Sequence, residues 1–329
     1  MKVKFFFRNT DCGFSIHTVF ETIMKEIQSS VCVSSVNMPS ASSMPWDVVK
    51  NSFFTYKNKN KSGVNHITGH IHDVIIGLIG CKIVLTVHDL VFIDNVKNPV
   101  KRFYKWFFWL YIPVRVADVV TCISAATKNN ILKYIKTDKL VVIPNAIDPI
   151  YEYVPRPFNE IKPTILHIGT GWNKNLTNTI KALRGISCHL RIIGRLDEAT
   201  SRILMQCEME YSNAYDLTSE EIRQEYINCD MVNFPSIYEG FGMPIIEGQA
   251  TGRVVLSSMI EPLSEVSGNA VHYVDPFDIS SLRAGYEKII GNPDYRQRLI
   301  QEGLDNVRRF APEVIADKYL QVYKRIINK

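Results

Sequence analysis

The chain has 329 residues, of which 46% are hydrophobic and 22% charged, and its formal net charge is +5. These ordinary globular proportions exclude disordered and collagen-like proteins, and the length favours two domains. Seven scattered cysteines without a C-x-x-C pair argue against a disulfide framework or structural zinc and favour a reducing cytosol. The apolar run at the N-terminus is too short for a signal peptide, so we expect a cytoplasmic protein.

Short apolar runs rich in β-branched residues alternate with amphipathic stretches along the whole chain, a pattern typical of parallel strands joined by helices. The predicted strands are Lys2–Phe7, Cys32–Val36, Val64–Ile67, Lys82–Val87, Val119–Cys122, Leu140–Ile143, Thr164–Ile168, Leu190–Ile193, Met231–Phe234, Val254–Ser257 and Val271–Val274. They predict an α/β protein of two doubly wound, Rossmann-like domains whose strand ends face a central cleft.

The domain boundaries follow from composition. Residues 149–163 contain four prolines and no helical periodicity, which is typical of an interdomain linker. We therefore predict an N-terminal domain over 1–148 and a C-terminal domain over 164–311. The C-terminal helix, 312–329, then either stays with the second domain or crosses back to the first.

Charge is unevenly divided between the two halves. Residues 1–150 carry 18 Lys and Arg against 10 Asp and Glu, whereas residues 151–329 carry 20 against 23. A basic first half suggests an anionic partner such as a phospholipid surface or a lipid diphosphate. Nucleic acid is the competing partner, but no helix-turn-helix or base-stacking pattern accompanies the charge, so we expect none.

The most informative segment is PSIYEGFGMPIIEGQATG, residues 235–252. Pro244 suits a helix start and Gly252 a helix end, so we predict a helix from about Pro244 to Thr251. Gly240 and Gly242 precede it and leave main-chain amides free to face a ligand. A helix N-terminus after such a loop favours an anion, and diphosphate is the obvious one.

Two carboxylates, Glu239 and Glu247, bracket these amides. Carboxylates accept hydrogen bonds from hydroxyl pairs, so one is suited to a ribose diol and the other to sugar hydroxyls. Taken alone, Glu239 is equally explained as a partner of the helix dipole and Glu247 as part of a solvated helix face.

This E-x7-E segment resembles that of the large retaining family 4 of GT-B glycosyltransferases. Further segments that resemble the family are VVIPNAID (141–148), CISAAT (122–127), LHIGTGWNKNL (166–176) and MIEPLSEVSGNAVHYVDPFD (259–278). The resemblance covers nearly the whole chain and is nearest to short mannosyltransferase-like members of O-antigen and capsule pathways. It implies a retaining transfer from a nucleotide diphosphate sugar, bound by the C-terminal domain, to a glycan acceptor, bound by the N-terminal domain.

The resemblance also implies roles for individual residues. Glu247 binds the donor ribose, Glu239 binds the transferred sugar, and Lys174 neutralises the diphosphate leaving group. The main-chain amides that line the sugar and phosphates are those of Gly240, Phe241, Gly242 and Met243. In the first domain, His88 contacts the transferred sugar, and Asp89 and Gly13 lie on the acceptor side. A histidine at a strand end is otherwise most often a satisfied core residue.

One position departs from the family pattern. The family commonly has an arginine directly after the glycine at Gly169, and this chain has Thr170. Stabilisation of the leaving group is then weaker or comes from elsewhere, and Arg195 is one candidate. The loop Gly194–Leu196 resembles the region that frames the nucleotide base.

We expect neither a metal nor another cofactor. The segment HITGHIHD brings His66, His70, His72 and Asp73 together, but zinc sites normally show a helical i, i+4 pair or a cysteine at fixed spacing. No D-x-D triplet supplies the carboxylate pair for a nucleotide-bound divalent ion. Lys174 and helix amides then carry the charge neutralisation.

Residues 97–115, KNPVKRFYKWFFWLYIPVR, mix basic and aromatic side chains in a way that suits a lipid headgroup layer. The residues proposed for membrane contact are Lys101, Arg102, Lys105, Trp106 and Trp109. Peripheral docking at the inner face of the cytoplasmic membrane would bring the protein to a polyprenyl-diphosphate-linked acceptor. The alternative is a helix whose aromatic face packs in the core.

Several functions stay open. GDP-mannose is the leading donor, and UDP-hexoses or UDP-N-acetylhexosamine are the alternatives. A nucleotide-sugar 2-epimerase has the same architecture, and Thr170 is compatible with a non-catalytic sugar-nucleotide-binding protein. An NAD-dependent dehydrogenase is disfavoured because no G-x-G-x-x-G follows the first strand.

Overall fold

The computed structural model of the chain describes residues 1–9, 15–42 and 44–328. The chain forms two compact units, one made of Met1–Asp148 and Ala311–Lys329 and the other of Pro149–Phe310. The proline-rich segment 149–163 is thus counted with the second unit, and the C-terminal helix with the first. No helix within the described ranges is long and apolar enough to cross a membrane.

The strands, in chain order, are β1 (Lys2–Phe7), β2 (Cys32–Asn37), β3 (Val64–Ile67), β4 (Lys82–Val87), β5 (Val119–Cys122), β6 (Leu140–Val142), β7 (Thr164–Ile168), β8 (His189–Ile193), β9 (Tyr211–Ala214), β10 (Met231–Phe234), β11 (Val254–Ser258) and β12 (His272–Val274). They form two six-stranded sheets, with the orders β2-β1-β3-β4-β5-β6 and β12-β11-β10-β7-β8-β9. Every neighbouring pair is parallel.

The helices are α1 (Ser15–Ile27), α2 (Pro45–Asn58), α3 (Val91–Asp94), α4 (Pro99–Lys105), α5 (Ile112–Val116), α6 (Ala125–Tyr134), α7 (Leu176–Leu183), α8 (Glu198–Gln206), α9 (Ser219–Asn228), α10 (Met243–Ala250), α11 (Leu263–Ser267), α12 (Ile279–Ile290), α13 (Pro293–Val307) and α14 (Pro312–Ile327). Two 3₁₀ segments matter below, His72–Leu78 and Trp172–Lys174, and a π-helical turn covers Trp106–Tyr111.

The last helix returns to the first unit and packs on the face of the first sheet that α1 also covers. The chain runs from β1 out to β2 and then back past β1 to β3, so right-handed crossovers place α1 on one face and α2 on the other. Helix α14 packs beside α1 against β3 and β4. Its side chains Tyr319 and Tyr323 are fully buried, and the Tyr323 hydroxyl bonds to Nδ1 of His66 at 2.6 Å.

Side chains of the second sheet alternate between two cores, as the period of a β-strand requires. Ile165 and Leu256 pack with residues of α7 and α12. Leu166 and Val232 pack with residues of α9 and α10 on the opposite face. Both faces are therefore covered by helices, which accounts for the continuous apolar runs that predicted these strands.

The prediction of two doubly wound parallel sheets is confirmed. The predicted strands are present with ends within about a residue. Strand β9, with the sequence YSNA, was missed. It lies at the sheet edge and is largely polar and partly exposed, so it lacks the apolar run on which the other predictions depend.

The segment predicted as a linker is fixed to the second unit by buried charged side chains. Asp230 accepts hydrogen bonds from the backbone amides of Asn159 and Thr164, at 3.1 and 2.7 Å. Arg253, which is buried, donates to the Val154 carbonyl at 2.9 Å. Segment 149–163 is therefore anchored to the second unit by side chains that are distant from it in the chain.

Buried histidines make the fold sensitive to acid. Burial lowers the pKa of four of them, His66, His72, His88 and His167, from 6.5 to about 3. In the unfolded chain an imidazole takes up a proton below about pH 6.5. Protons therefore bind preferentially to the unfolded state, and the free energy of unfolding falls as the pH falls below that value.

We expect a decrease in the free energy of unfolding on the order of 1–2 kcal/mol per buried histidine between pH 6.5 and pH 5. Urea unfolding across this range measures it. The variant His66→Gln should show a shallower pH dependence than the wild type, because it removes one of the four buried imidazoles. Identical pH dependence in wild type and His66→Gln would contradict this assignment.

Candidate functional site

The candidate site of the second unit lies at the carboxyl ends of β7 and β10. These central strands are neighbours, and the helices that follow them, α7 and α10, pack on opposite faces of the sheet. Such a divergence point in a parallel sheet leaves a crevice between the two strand-to-helix loops. The loop 169–175 follows β7, and the loop 235–242 follows β10.

The two loops are joined by an ion pair. Nζ of Lys174 lies 2.6 Å from Oε1 of Glu239, and the side chains are only 22% and 12% exposed. The Lys174 ammonium also lies 4.7 Å from the centre of the Phe234 ring. A charge pair this far from bulk water is screened less than a surface pair, so it holds both charges in one geometry.

Asparagines on both sides of Lys174 fix the loop. Asn173 donates to the Tyr238 carbonyl at 3.0 Å and to Oε1 of Glu239 at 3.3 Å. Asn175 has a positive φ of 63° and donates to the carbonyls of Pro235 and Pro276, at 3.1 and 2.7 Å. The loop after β7 is thereby bonded to the loops after β10 and β12.

Gly169 makes room for the lysine. Its φ is +92°, and a Cβ atom there would lie 3.0 Å from both Cγ and Cε of Lys174. Glycine therefore suits this position for two reasons. It tolerates the positive φ, and it leaves space for the Lys174 side chain.

Helix α10 begins at Met243, directly after Gly242 and one residue before the predicted start at Pro244. Gly242 has a φ of +110°, and a Cβ there would lie 2.6 Å from Leu263. Phe241 is buried edge-on against Phe310 at 5.8 Å. The first turn carries no acidic side chain, so the partial positive charge of the helix N-terminus is not neutralised from within the helix.

Glu247 lies inside α10 and is half-buried. Its Oε2 accepts a 2.5 Å hydrogen bond from the hydroxyl of Tyr226, which is fully buried. Burial and the nearby Glu247 carboxylate raise the pKa of Tyr226 well above its usual value. The phenol therefore stays protonated and keeps the carboxylate oriented, which a solvated helix face would not require.

Thr170 joins the loops after β7 and β8. Its Oγ1 donates to the Arg195 carbonyl at 2.7 Å, and a Cβ on Gly194 would lie 2.9 Å from its methyl group. The Arg195 guanidinium pairs with Asp216, lies 5.0 Å from the centre of the Tyr215 ring and is 72% exposed. In this conformation the Arg195 guanidinium is paired with Asp216 at the surface.

In the first unit, His88 follows β4 and is buried. Its Nε2 lies 2.7 Å from the Thr68 carbonyl, so Nε2 carries the proton and Nδ1 is the acceptor of the neutral ring. Burial first, with His70 second, lowers the pKa of His88 to about 3, so the ring is neutral at physiological pH. Gly69, with φ +123°, permits this position, since a Cβ there would lie 2.4 Å from the imidazole.

The other residues predicted for the acceptor side have local roles or are not described. Asp89 accepts a hydrogen bond from the Val91 amide at 3.0 Å and lies 3.9 Å from His70. Gly13 lies outside the described residues. Within the part of the chain that the structure describes, no three His, Cys, Asp or Glu side chains are arranged to hold a metal ion.

The basic and aromatic segment 97–115 is only partly turned outward. Trp109 is 8% exposed, and the Lys105 ammonium lies 3.5 Å from the centre of its indole ring. Lys101 and Arg102 are exposed, and Trp106 is partly buried in the core. The exposed apolar residues Val100 and Phe103 were not among those predicted for membrane contact.

Several residues that shape the site were missed from the sequence. Asn173 and Asn175 flank Lys174 in the sequence, and this proximity was an available signal. Gly69 is distant from His88 in the sequence, so only the fold brings these two together. Tyr226 lies 21 residues before Glu247 and has no local signal, because only the fold brings the two together.

Two family models match the chain. Residues 34–150 match the model described as "Glycosyltransferase Family 4", and residues 154–305 match "Glycosyl transferases group 1". Together they cover most of both units. The chain belongs to the family 4 glycosyltransferases of the GT-B fold.

Curated relatives of this glycosyltransferase include mannosyltransferases. It is 26% identical over 247 residues to the O-antigen chain mannosyltransferase RfbU of Salmonella typhimurium, which covers 71% of this chain and 69% of the relative. It is 24% identical over 284 residues to an MMP alpha-(1->4)-mannosyltransferase of Mycolicibacterium hassiacum, covering 77% and 68%.

Solved structures share the fold of this glycosyltransferase. Sucrose-phosphate synthase of Thermosynechococcus elongatus aligns with a TM-score of 0.81 at 16% identity, covering 100% of this chain and 99% of that one. Anabaena HepE in complex with UDP and glucose aligns with a TM-score of 0.79 at 14% identity, covering 99% and 100%.

The role of Gly169 is testable against a matched glycine. Gly169→Ala and Gly185→Ala both place alanine at positive φ and should each lose about 1–2 kcal/mol of stability. A Cβ on Gly185 would meet nothing within 4 Å, whereas one on Gly169 would meet Lys174. We therefore expect only Gly169→Ala to lose the rise in melting temperature produced by a nucleoside diphosphate. Equal nucleotide responses in the two variants would contradict this role.

Proposed function

We propose that the chain is a retaining, metal-independent hexosyltransferase that uses a nucleotide diphosphate sugar. The observation that carries this proposal is the Lys174–Glu239 ion pair, because it joins the loops after β7 and β10 at the divergence point of the second sheet. Glu239 lies just before α10 in the chain, and the N-terminus of α10 offers main-chain amides to an anion.

The donor has a place for each of its parts. Amides from Gly240 to Met243, together with the α10 dipole, suit the diphosphate. Both hydrogen bonds to Glu239 described above fall on Oε1, so Oε2 can accept bonds from hydroxyls of the transferred sugar. Glu247, oriented by Tyr226, is assigned to the ribose diol.

During the reaction, charge develops at positions where the proposed site has groups of opposite charge. The bond between the anomeric carbon and the leaving phosphate oxygen breaks, so negative charge develops on the diphosphate and positive charge on the sugar. Lys174 has three N–H donors, so it can contact the diphosphate without leaving Glu239. Donors placed in advance lower the barrier most where charge develops in the transition state.

Retention follows when the acceptor hydroxyl attacks the face from which the diphosphate departs. The acceptor oxygen forms the new bond to the anomeric carbon, and its proton passes to the departing phosphate oxygen. This route requires neither a protein nucleophile nor a separate protein base. In the first unit, His88 is assigned to a hydroxyl of the transferred sugar. The unprotonated Nδ1 of its neutral ring can accept a hydrogen bond from that hydroxyl.

Mannose from GDP-mannose is the proposed donor sugar, since the relatives described above include an O-antigen mannosyltransferase and a second mannosyltransferase. A UDP-sugar is the second candidate, because HepE, which shares the fold, was crystallised with UDP and glucose. We further propose a lipid-linked glycan acceptor in surface polysaccharide synthesis, met at the inner face of the cytoplasmic membrane.

The first test is substitution of Glu239. Glu239→Gln keeps the shape but removes the charge, so we expect kcat/KM for transfer to fall roughly a hundredfold. The control Glu198→Gln changes a side chain that is 93% exposed and should leave transfer unchanged. Unaltered transfer by a folded Glu239→Gln variant, or loss of wild-type transfer on adding EDTA, would contradict the proposal.

The second test identifies the nucleotide. Ligand binding to the native state raises the melting temperature, so we expect GDP to raise it more than UDP, ADP or CDP at equal concentration. The rise should disappear in Glu247→Ala. Incubation with GDP-mannose alone separates the rival enzyme class, because a 2-epimerase would release an epimer or free nucleotide without an acceptor.

A further inference from the structure

Helix α2 leaves most of its large apolar side chains outside the core. Its fully buried residues are Asn51 and Thr55, both polar. Asn51 exchanges two hydrogen bonds with the backbone of Ser40, each 3.1 Å, and the Thr55 hydroxyl donates to the Asn51 carbonyl at 2.8 Å. Phe54 is partly buried and packs on the core of the first unit. The helix is thus held by these inner contacts, although a soluble helix normally turns its whole apolar side inward.

The apolar side of α2 faces outward. Four large side chains recur at spacings of three, four and three residues and form a single stripe along the helix. This outer stripe consists of Trp46, Val49, Phe53 and Tyr56, which are 83%, 57%, 58% and 56% exposed. An exposed apolar stripe of this size marks a surface that binds something.

A neighbouring element that packs on α2 also exposes apolar side chains. Gly77 in the 3₁₀ helix His72–Leu78 contacts the backbone of α2, since a Cβ there would lie 2.4 Å from the Ser52 carbonyl. The residues beside it, Ile76 and Ile79, are 42% and 58% exposed. Met44, just before α2, is 66% exposed.

Lysines surround these apolar side chains. The Lys57 ammonium lies 4.4 Å from the centre of the Phe53 ring, and that of Lys59 lies 4.1 Å from the Tyr56 ring. Lys50 and Lys61 are also exposed. The segment 44–61 has a single acidic residue, Asp47, whose carboxylate accepts a 2.7 Å hydrogen bond from the Ser40 hydroxyl.

We propose that the outer stripe of α2 inserts into the headgroup layer of an anionic lipid bilayer. Tryptophan and tyrosine prefer that layer, and lysine heads at the rim match anionic lipids. A protein partner fits less well, because lysine is depleted from protein interfaces. With 14 residues, α2 is too short to span a bilayer and lies in its surface.

This proposal rests on the proposed function, which includes contact with the membrane. It places that contact on α2 instead of on the segment 97–115. Its test does not require transfer to occur. Vesicle binding is measured without donor or acceptor, and transfer to a water-soluble acceptor is measured separately. If the protein transfers sugar but does not bind vesicles, the membrane proposal has failed. If it binds vesicles but does not transfer sugar, the proposed function has failed.

The experiment is flotation with vesicles of phosphatidylcholine, with and without phosphatidylglycerol. We expect the wild type to bind only the anionic vesicles and to dissociate as salt is added. Trp46→Ser/Phe53→Ser should weaken binding about tenfold or more, with an unchanged melting temperature because both side chains are exposed. The matched control Ile161→Ser/Met205→Ser changes equally exposed residues of the second unit and should bind like the wild type.

A spectroscopic variant locates the contact. On binding, Trp46 should move its emission to shorter wavelength and be quenched by brominated lipid. Trp46→Phe keeps an apolar ring, so it should still bind but lose this response. Absence of vesicle binding, equal binding by Trp46→Ser/Phe53→Ser, or loss of binding in Lys101→Glu/Arg102→Glu alone would overturn the proposal. Self-association abolished by Trp46→Ser/Phe53→Ser, without vesicle binding, would assign the stripe to a second copy.

Discussion

The contact between the Lys174 ammonium and the Glu239 carboxylate sets requirements for much of the second unit. The two residues are 65 positions apart, so only adjacent parallel strands bring them to one sheet edge. Gly169 gives the lysine its path, and Asn173 and Asn175 hold its loop against two others. Each of these residues is explained by the position of a single cation.

Thr170 has a structural role in place of the family's common arginine. Where the family commonly has an arginine, Thr170 bonds the Arg195 carbonyl and packs on Gly194. Arg195 is paired with Asp216 at the surface, so we propose that Lys174 and the α10 amides meet the diphosphate. The proposed chemistry therefore relies on one positioned lysine and the helix N-terminus, and we assign no further cation to the leaving group.

The first unit uses its two sheet faces differently. On one face α14 completes the cover that α1 begins, with Tyr323 bonded to His66. On the other face α2 is held by the hydrogen bonds of Asn51 to Ser40 and by Phe54, which packs on the core. Its outer stripe makes no part of that core and stays exposed.

The sequence by itself determined the fold class, the strand positions and the start of α10, because these follow from local periodicity and from Gly and Pro. The edge strand β9, the Tyr226–Glu247 bond and the return of α14 depended on the tertiary structure. The tertiary structure also decided that the side chains of Lys105 and Trp109 face inward and that those of Trp46 and Phe53 face solvent. Helical spacing shows which side chains share a face, but residues distant in the chain decide whether that face meets protein or solvent.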